Sequence, residues 1–316
     1  MSHFISKSAI MVLDSNQSDT YDRKMMISMT LTQTVFNQES ITFFDQGQVA
    51  QTANNFTPFA YTDLLTHLVT DKPQSFIHFW EFEKTVILGM KDTRVPNLPT
   101  ALKTLKTANF NYLARNSGGL AVVSDRGILN FSIVFPNLAE NPIAIEDAYE
   151  LMTDVIQRAF GDFSVTITAK EISNSYCPGD YDLSIKGQKF AGTAQRRIRQ
   201  GIAVMVYLSV NGDQHGRGEL IRDFYHAGLK EDFGNNGYPP VEPEAMANLS
   251  DLLGVDLSVA DVKERILQVF QKDFSADLRQ SDFPSYLETE NLFPEFEQHL
   301  AKMTRRNSDI MEVEVL

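Results

Sequence analysis

RNSGGLAVVSDRGILNFS, residues 115–132, sets two turn signals among three strand-forming runs. The runs are residues 112–115, 120–123 and 129–135, and the breaks are Gly118-Gly119 and Asp125-Arg126-Gly127. The last two runs read as a strand pair turning at Asp125-Arg126-Gly127. Upstream, SFIHFWEFEKTVILG (75–89) is dense in aromatic and β-branched side chains, as expected of two more strands. Pro58 opens a helical pattern through Leu64, Leu65 and Leu68 that Lys72-Pro73 stops, and residues 100–110 read as a short helix. Downstream, Ile145, Ala148, Leu151, Met152, Val155 and Ala159 repeat at helical spacing. Short strands are expected at 165–168, 182–186 and 189–195, the last two joined at Gly187-Gln188. GIAVMVYLSV (201–210) is almost continuously apolar, which suits a central strand buried on both faces. The expected class is α+β: a mixed, largely antiparallel sheet with packed helices.

Three regions follow from this pattern. Residues 1–37, rich in Ser, Thr, Gln and Met, read as an N-terminal arm with one helix around 23–36, and 38–240 form the main domain. Residues 241–316 read as a helical C-terminal segment packed on that domain. It holds a capping box at Ser258 and Asp261 and a buried stripe of Val262, Ile266, Val269 and Phe270. Residues 242–316 contain 16 acidic and 7 basic side chains, so they carry −9 of the net −13.

A 316-residue chain that is 43% hydrophobic and 22% charged can bury a sizeable core. Its acidity argues against general binding to nucleic acid or anionic membranes. With one cysteine, intrachain disulfides and cysteine-cluster metal sites are excluded. The first apolar run, residues 9–13, is too short for a signal peptide. No run approaches the ~18–20 apolar residues of a membrane span, so the cytoplasm is the expected compartment. The histidines show no HxxxH or HxE spacing, and no metal site is expected. Neither GxxxxGK[ST] nor a strand-following GxGxxG is present.

Three segments offer chemistry. In the first, Arg115 and Gly118-Gly119 form either an ordinary tight hairpin turn with a surface arginine or a place where backbone N–H groups approach a ligand closely and the guanidinium meets a carboxylate or phosphate. In the second, EISNSYCPGDYDLS (171–184), Cys177 precedes Pro-Gly and sits in a turn, where it reads either as structural or as a nucleophile. No histidine is close in sequence, though His67, His78, His215 or His226 could arrive through the fold. In the third, KGQKFAGTAQRRIRQG (186–201), small residues at Ala191, Gly192 and Ala194 leave room against the backbone. Residues 186–199 hold five basic side chains and no acidic ones, either a solvated face or a docking strip for an acidic partner.

In this order, the three segments resemble the lipoate–protein ligase/biotin–protein ligase/octanoyltransferase superfamily over residues 39–229. Arg115-Asn116-Ser117-Gly118-Gly119 matches its Arg-x-x-Gly-Gly turn, and Gly187-Gln188-Lys189-Phe190-Ala191-Gly192 matches its Gly-x-Lys-φ-[Ala/Ser]-Gly strand. The chain departs from the ATP-dependent ligases at Asn116, Leu120 and Ser124, where they carry Arg, Gly and His. It also has Cys177 twelve residues before Lys189. In these respects it is similar to the cysteine-dependent octanoyltransferases of Gram-positive bacteria, above all to the amidotransferases.

The resemblance implies a class II biotin/lipoate ligase-like catalytic domain and a protein N-octanoyltransferase acting through a cysteine thioester. It implies transfer of octanoyl or lipoyl from the lysine of glycine-cleavage H protein to lysines of the lipoyl domains of 2-oxoacid dehydrogenase complexes, with no cofactor. Cys177 would be the nucleophile. A free thiol, with a reference pKa of ~8.5, is mostly protonated at neutral pH, and Lys189 would be the ammonium that favours the thiolate. Arg115, Ser117, Gly118, Gly119, Gly192 and Ala194 would bind substrate, and Arg196, Arg197 and Arg199 would dock the acidic carrier domains. The alternatives are an ATP- and Mg-dependent lipoate ligase, an octanoyltransferase loading from acyl carrier protein, and a non-catalytic binder of acylated carriers.

Overall fold

A computed structural model of the chain describes residues 31–36, 40–49, 56–72, 74–137 and 142–313. Most of the expected N-terminal arm lies outside these. Residues 31–36 are helical (α1), and Phe36 is fully buried, its ring edge-on to Phe135 and Phe270.

Among the described residues, eleven strands form two sheets. The large sheet contains β1 (Ser40–Val49), β2 (Ser75–Phe82), β6 (Ile128–Pro136), β7 (Ile167–Ala169), β8 (Leu183–Ile185), β9 (Gln188–Ile198), β10 (Gly201–Ser209) and β11 (Asp277–Ser281). Its order is β11-β1-β2-β6-β10-β9-β8-β7. The β11–β1 and β1–β2 pairings are parallel, and the other five are antiparallel. The small sheet is β4 (Asn111–Ala114), β3 (Lys84–Leu88) and β5 (Val122–Asp125), in that order. The mixed, largely antiparallel α+β expectation holds.

Alternation along the central strands separates core from site. Leu129, Phe131, Ile133 and Phe135 of β6, with Ile202, Val204, Val206 and Leu208 of β10, enter one core. That core is covered by α4 (Ile145–Ala159) and α7 (Val259–Gln268). The intervening Asn130, Ser132, Met205 and Tyr207 face the other side, where α2 (Thr57–Leu68), α3 (Leu98–Thr107), α5 (Gln214–Leu229) and the small sheet lie. The first turn of α7 is closed as expected: Ser258 Oγ accepts from Asp261 N–H and Asp261 Oδ2 accepts from Ser258 N–H.

Two expectations need correction. Strands β5 and β6 do not pair with each other. β5 pairs with β3 in the small sheet, and β6 lies between β2 and β10 in the large one. Their turn is tied to the end of β10 instead, because Gly127 O accepts from the N–H groups of Val210 (2.8 Å) and Asn211 (3.2 Å). The chain likewise switches sheets at Glu83, between β2 and β3. A wedge-shaped gap opens where the sheets diverge. Second, the C-terminal segment is not wholly helical. After α6 (Leu249–Leu253) and α7 it contributes edge strand β11, then α8 (Phe283–Thr289) and α9 (Phe293–Met311).

His78 of β2 is fully buried. Its Nε2 donates to Gln46 Oε1 (3.1 Å) and its Nδ1 lies 3.2 Å from Thr62 Oγ1, so both ring nitrogens of the neutral imidazole have partners. Burial pushes the imidazole down to about 3. A depressed pKa gives stability that is complete above the unfolded value of 6.5 and is lost as pH falls toward 3. Urea unfolding should therefore lose about 2 kcal/mol from this group between pH 7.5 and pH 5. His78→Gln should be less stable at pH 7.5, with a correspondingly shallower loss on acidification.

Candidate active site

Lys189, near the start of β9, has its ammonium 3% exposed. A buried charge needs a full set of partners. Asp182 Oδ1 stands 2.9 Å from Nζ. The ammonium donates to the carbonyls of Cys177 (2.8 Å) and Tyr176 (3.0 Å) and to Ser175 Oγ (3.2 Å). Asp182 Oδ2 accepts from the N–H groups of Gly179 and Ile172, both at 3.2 Å. Burial raises the Asp182 carboxyl above its ordinary value, while the ammonium and these amides act in the opposite sense. The 172–182 loop is thus wrapped around one buried ion pair.

That wrapping forces Cys177 to φ +48°, a left-handed conformation costly for a residue with a Cβ. The thiol is directed at the Arg115–Leu120 turn. Its Sγ accepts from Arg115 Nη2 (3.2 Å) and from Leu120 N–H (3.1 Å), and Arg115 Nη2 also donates to Leu120 O (2.9 Å). Gly119, at φ +98°, permits this approach, since a Cβ there would stand 2.1 Å from Arg115 Nη2 and 2.9 Å from Sγ. Two donors aimed at one sulfur suit a thiolate or the charge that develops on it.

The placement of the expected site residues is therefore as follows. Arg115, Ser117, Cys177, Lys189, Gly192 and Ala194 all line one cleft in the gap between the sheets. Gly118 and Gly119 form its exposed lip. Apolar walls come from Phe59, Trp80, Ile87, Val122 and Met205, and the empty space, counted out to open solvent, is about 540 Å³. The cation hydrogen-bonded to the sulfur is Arg115, while Lys189 bonds the carbonyl of Cys177. None of the four candidate histidines lines the cleft. His78 is held within α2 and β1, His67 lies beside Glu295, His215 is exposed near Glu219 and Glu244, and His226 stacks on Phe233.

The basic strip does not form one free face. Arg196 grips Asp63 of α2 with Nε and Nη2 and donates from Nη1 to Asn116 O (2.9 Å), so it is held by α2 and the Arg115 turn while 28% exposed. Arg197 donates to Ala144 O (2.8 Å), and Arg199 is exposed. Strand alternation sends Arg196 and Arg197 to opposite faces.

Residues distant in sequence complete the site. Fully buried Asn307 of α9 takes the place of a sheet neighbour for β4. Its Oδ1 accepts from Ala114 N–H (2.6 Å) and its Nδ2 donates to Ala114 O (3.0 Å), one residue before Arg115. Asp92 Oδ2 accepts from Gly89 N–H (2.7 Å) and Asp92 Oδ1 from Tyr225 OH (2.8 Å), bracing the end of β3 beneath the same turn. Burial pushes the Asp92 carboxyl up to about 6, opposed by these hydrogen bonds and by Arg115.

The sequence profile of the lipoyl protein ligase A/B catalytic domain matches residues 54–271. The chain belongs to that family. An octanoyl-[GcvH]:protein N-octanoyltransferase of Oceanobacillus iheyensis is 44% identical over 217 residues, covering 68% of this chain and 77% of the relative. A lipoyl-[GcvH]:protein N-lipoyltransferase of Listeria monocytogenes is 40% identical over 273 residues, covering 86% and 97%. Among solved structures, the lipoic acid-bound putative lipoate protein ligase Ta0514 of T. acidophilum superposes with a TM-score of 0.61 at 16% identity, covering 88% of this chain and 100% of that one. A lipoate-protein ligase A bound with ATP also gives 0.61, at 18% identity with 88% and 100% coverage. At those identities the two structures confirm the ligase-like fold of this family member.

Two outcomes are expected. Arg115→Leu removes one of the sulfur's donors and should slow iodoacetamide alkylation of Cys177 about tenfold, the equivalent of ~1.4 kcal/mol in one charge-assisted contact. Asn307→Ala leaves Ala114 without its two bonds and should cost about 1–3 kcal/mol in urea unfolding, with Cys177 alkylation slowed as well.

Proposed function

We propose that this chain is a protein N-acyltransferase that carries an octanoyl or lipoyl group through a thioester on Cys177, without ATP. The observation that carries the reading is the sulfur itself. It is held in a strained turn at the mouth of an apolar-walled cleft, with a guanidinium and a backbone N–H directed at it. The names of the 36–44% identical relatives support glycine-cleavage H protein as the donor. Lysines of lipoyl domains are the acceptors in this reading.

The chemistry balances without a cofactor. The Cys177 sulfur attacks the carbonyl of the acylated donor lysine, a C–S bond forms and the amide C–N bond breaks. The proton lost by the thiol leaves on the departing lysine amine. An acceptor lysine then attacks the thioester, a C–N bond forms again as the C–S bond breaks, and the proton the amine sheds returns to the sulfur. One hard amide exchange becomes two easier steps. Lys189 holds the cysteine loop and places positive charge below the reacting carbonyl. Gly192 and Ala194 leave the acyl chain a path along β9, against Trp80 and Met205. Arg197 and Arg199, without Arg196, meet the acidic carrier.

Intact-protein mass spectrometry after mixing with octanoylated H protein, without ATP, tests this. A gain of one octanoyl group that disappears in Cys177→Ala is the expected result. An adduct only with octanoyl–acyl carrier protein would change the donor. Activity only with ATP and free lipoate, indifferent to Cys177→Ala, would make the chain a ligase and overturn the thioester route.

A further inference from the structure

The seam between α2 and α9 holds a side-chain cluster that acyl transfer does not use. Among the described residues, His67, Glu295 and His299 are the one His/Cys/carboxylate group whose ligand atoms converge, all within 4.8 Å of one another. His67 comes from α2, whereas Glu295 and His299 stand one turn apart on the same face of α9. His67 Nδ1 contacts Glu295 Oε1, and His299 Nε2 lies 4.0 Å from that oxygen. Two imidazole nitrogens therefore point at one carboxylate.

His299 is 6% exposed, and its Nδ1 has no hydrogen-bond partner. The nearest acceptor, Asp63 Oδ2, stands 3.9 Å away, too far for a hydrogen bond. We propose that His67, Glu295 and His299 form a binding site for a divalent transition-metal ion of the zinc class. Two imidazoles and one carboxylate are a zinc-type donor set. Metal–ligand distances of about 2.0–2.2 Å place the ligand atoms about 3.3 Å apart, so the widest separation, up to 4.8 Å, closes by about 1.5 Å, shared between two side chains, to admit the ion. An ion on His299 Nε2 leaves the ring proton on Nδ1, on the side of Asp63. His67 and Glu295 are 27% and 29% exposed, which leaves water a fourth position and makes the ion exchangeable.

The position of the site gives the ion something to act on. Asp63 also holds Arg196, whose Nη1 donates to Asn116 O in the turn against Cys177. Helix α9 carries Glu295 and His299 in its first two turns and Asn307, the clamp on Ala114, about 12 Å beyond His299. A metal bridge between α2 and α9 braces the Arg115 turn from both directions, independently of which acyl donor the enzyme uses.

Tag-free, EDTA-stripped Cys177→Ser protein, whose thiol cannot compete for the ion, is titrated with zinc chloride by calorimetry. One equivalent should bind in the micromolar range, with Tm raised by several degrees. Cobalt(II) should develop a visible ligand-field band. His67→Gln and Glu295→Gln, both partly exposed and expected to fold, should each weaken binding at least tenfold and abolish the Tm rise and the band. Failure of the parent protein to bind zinc below ~100 μM overturns the proposal. Equal binding by these two variants overturns it as well.

Discussion

A lysine ammonium cannot stay charged inside a protein unless oxygens surround it, and much of this site follows from how Lys189 meets that demand. Asp182 and three oxygens of residues 175–177 converge on Nζ, and four of the five groups involved come from one loop. The loop has little freedom once those bonds form. Its tightest point is Cys177, driven into the left-handed region, where the side chain swings out toward the Arg115 turn. The strain at the cysteine is offset by the buried ion pair, and position is gained for the sulfur. A lysine that touches the cysteine's carbonyl, and not its sulfur, still determines where that sulfur is.

The opposite wall is built by different means. Gly119 allows Arg115 and Cys177 to meet, and Leu120 supplies the second donor. The β4 strand that delivers Arg115 belongs to the small sheet, with β3 on one side and the amide of Asn307 on the other. The two halves of the site therefore belong to separate sheets, and the cleft is the gap between them. The cleft is lined by Gly192 and Ala194 of β9 and Met205 of β10 on one side and by Ile87 of β3 and Val122 of β5 on the other.

The order of elements from α2 to β10, the double burial of β10 and the capping box of α7 were legible because each rests on local pattern. The grouping of Arg115, Cys177 and Lys189 was legible because their short motifs resemble a known family's; β1 was not legible. What escaped depends on pairing across distance. The run through Asp125-Arg126-Gly127 looks like a hairpin, yet its strands enter different sheets because β6 is more completely buried between β2 and β10. Nothing around Asn307 marks it, for an Asn within a helix reads as a solvated residue until Ala114 arrives beside it. His67 and Glu295 are 228 positions apart, so no spacing rule applies to them. Arg196 looked like part of a basic face, but Asp63 on α2 turns it inward. Strand β11 is short and half charged, and its pairing with β1 supplies what its composition lacks.

Helix α9 also bears on the order in which the molecule can be built. Cys177, Lys189 and Arg115 leave the ribosome well before residues 293–311 do, yet the edge of β4 has no partner for Ala114 until Asn307 is in place. During synthesis the thiol is present while the turn that shapes its reactivity is still unpinned on one side. The last bonds to β4 are therefore made late, on arrival of α9, after every residue of the cleft has been synthesised.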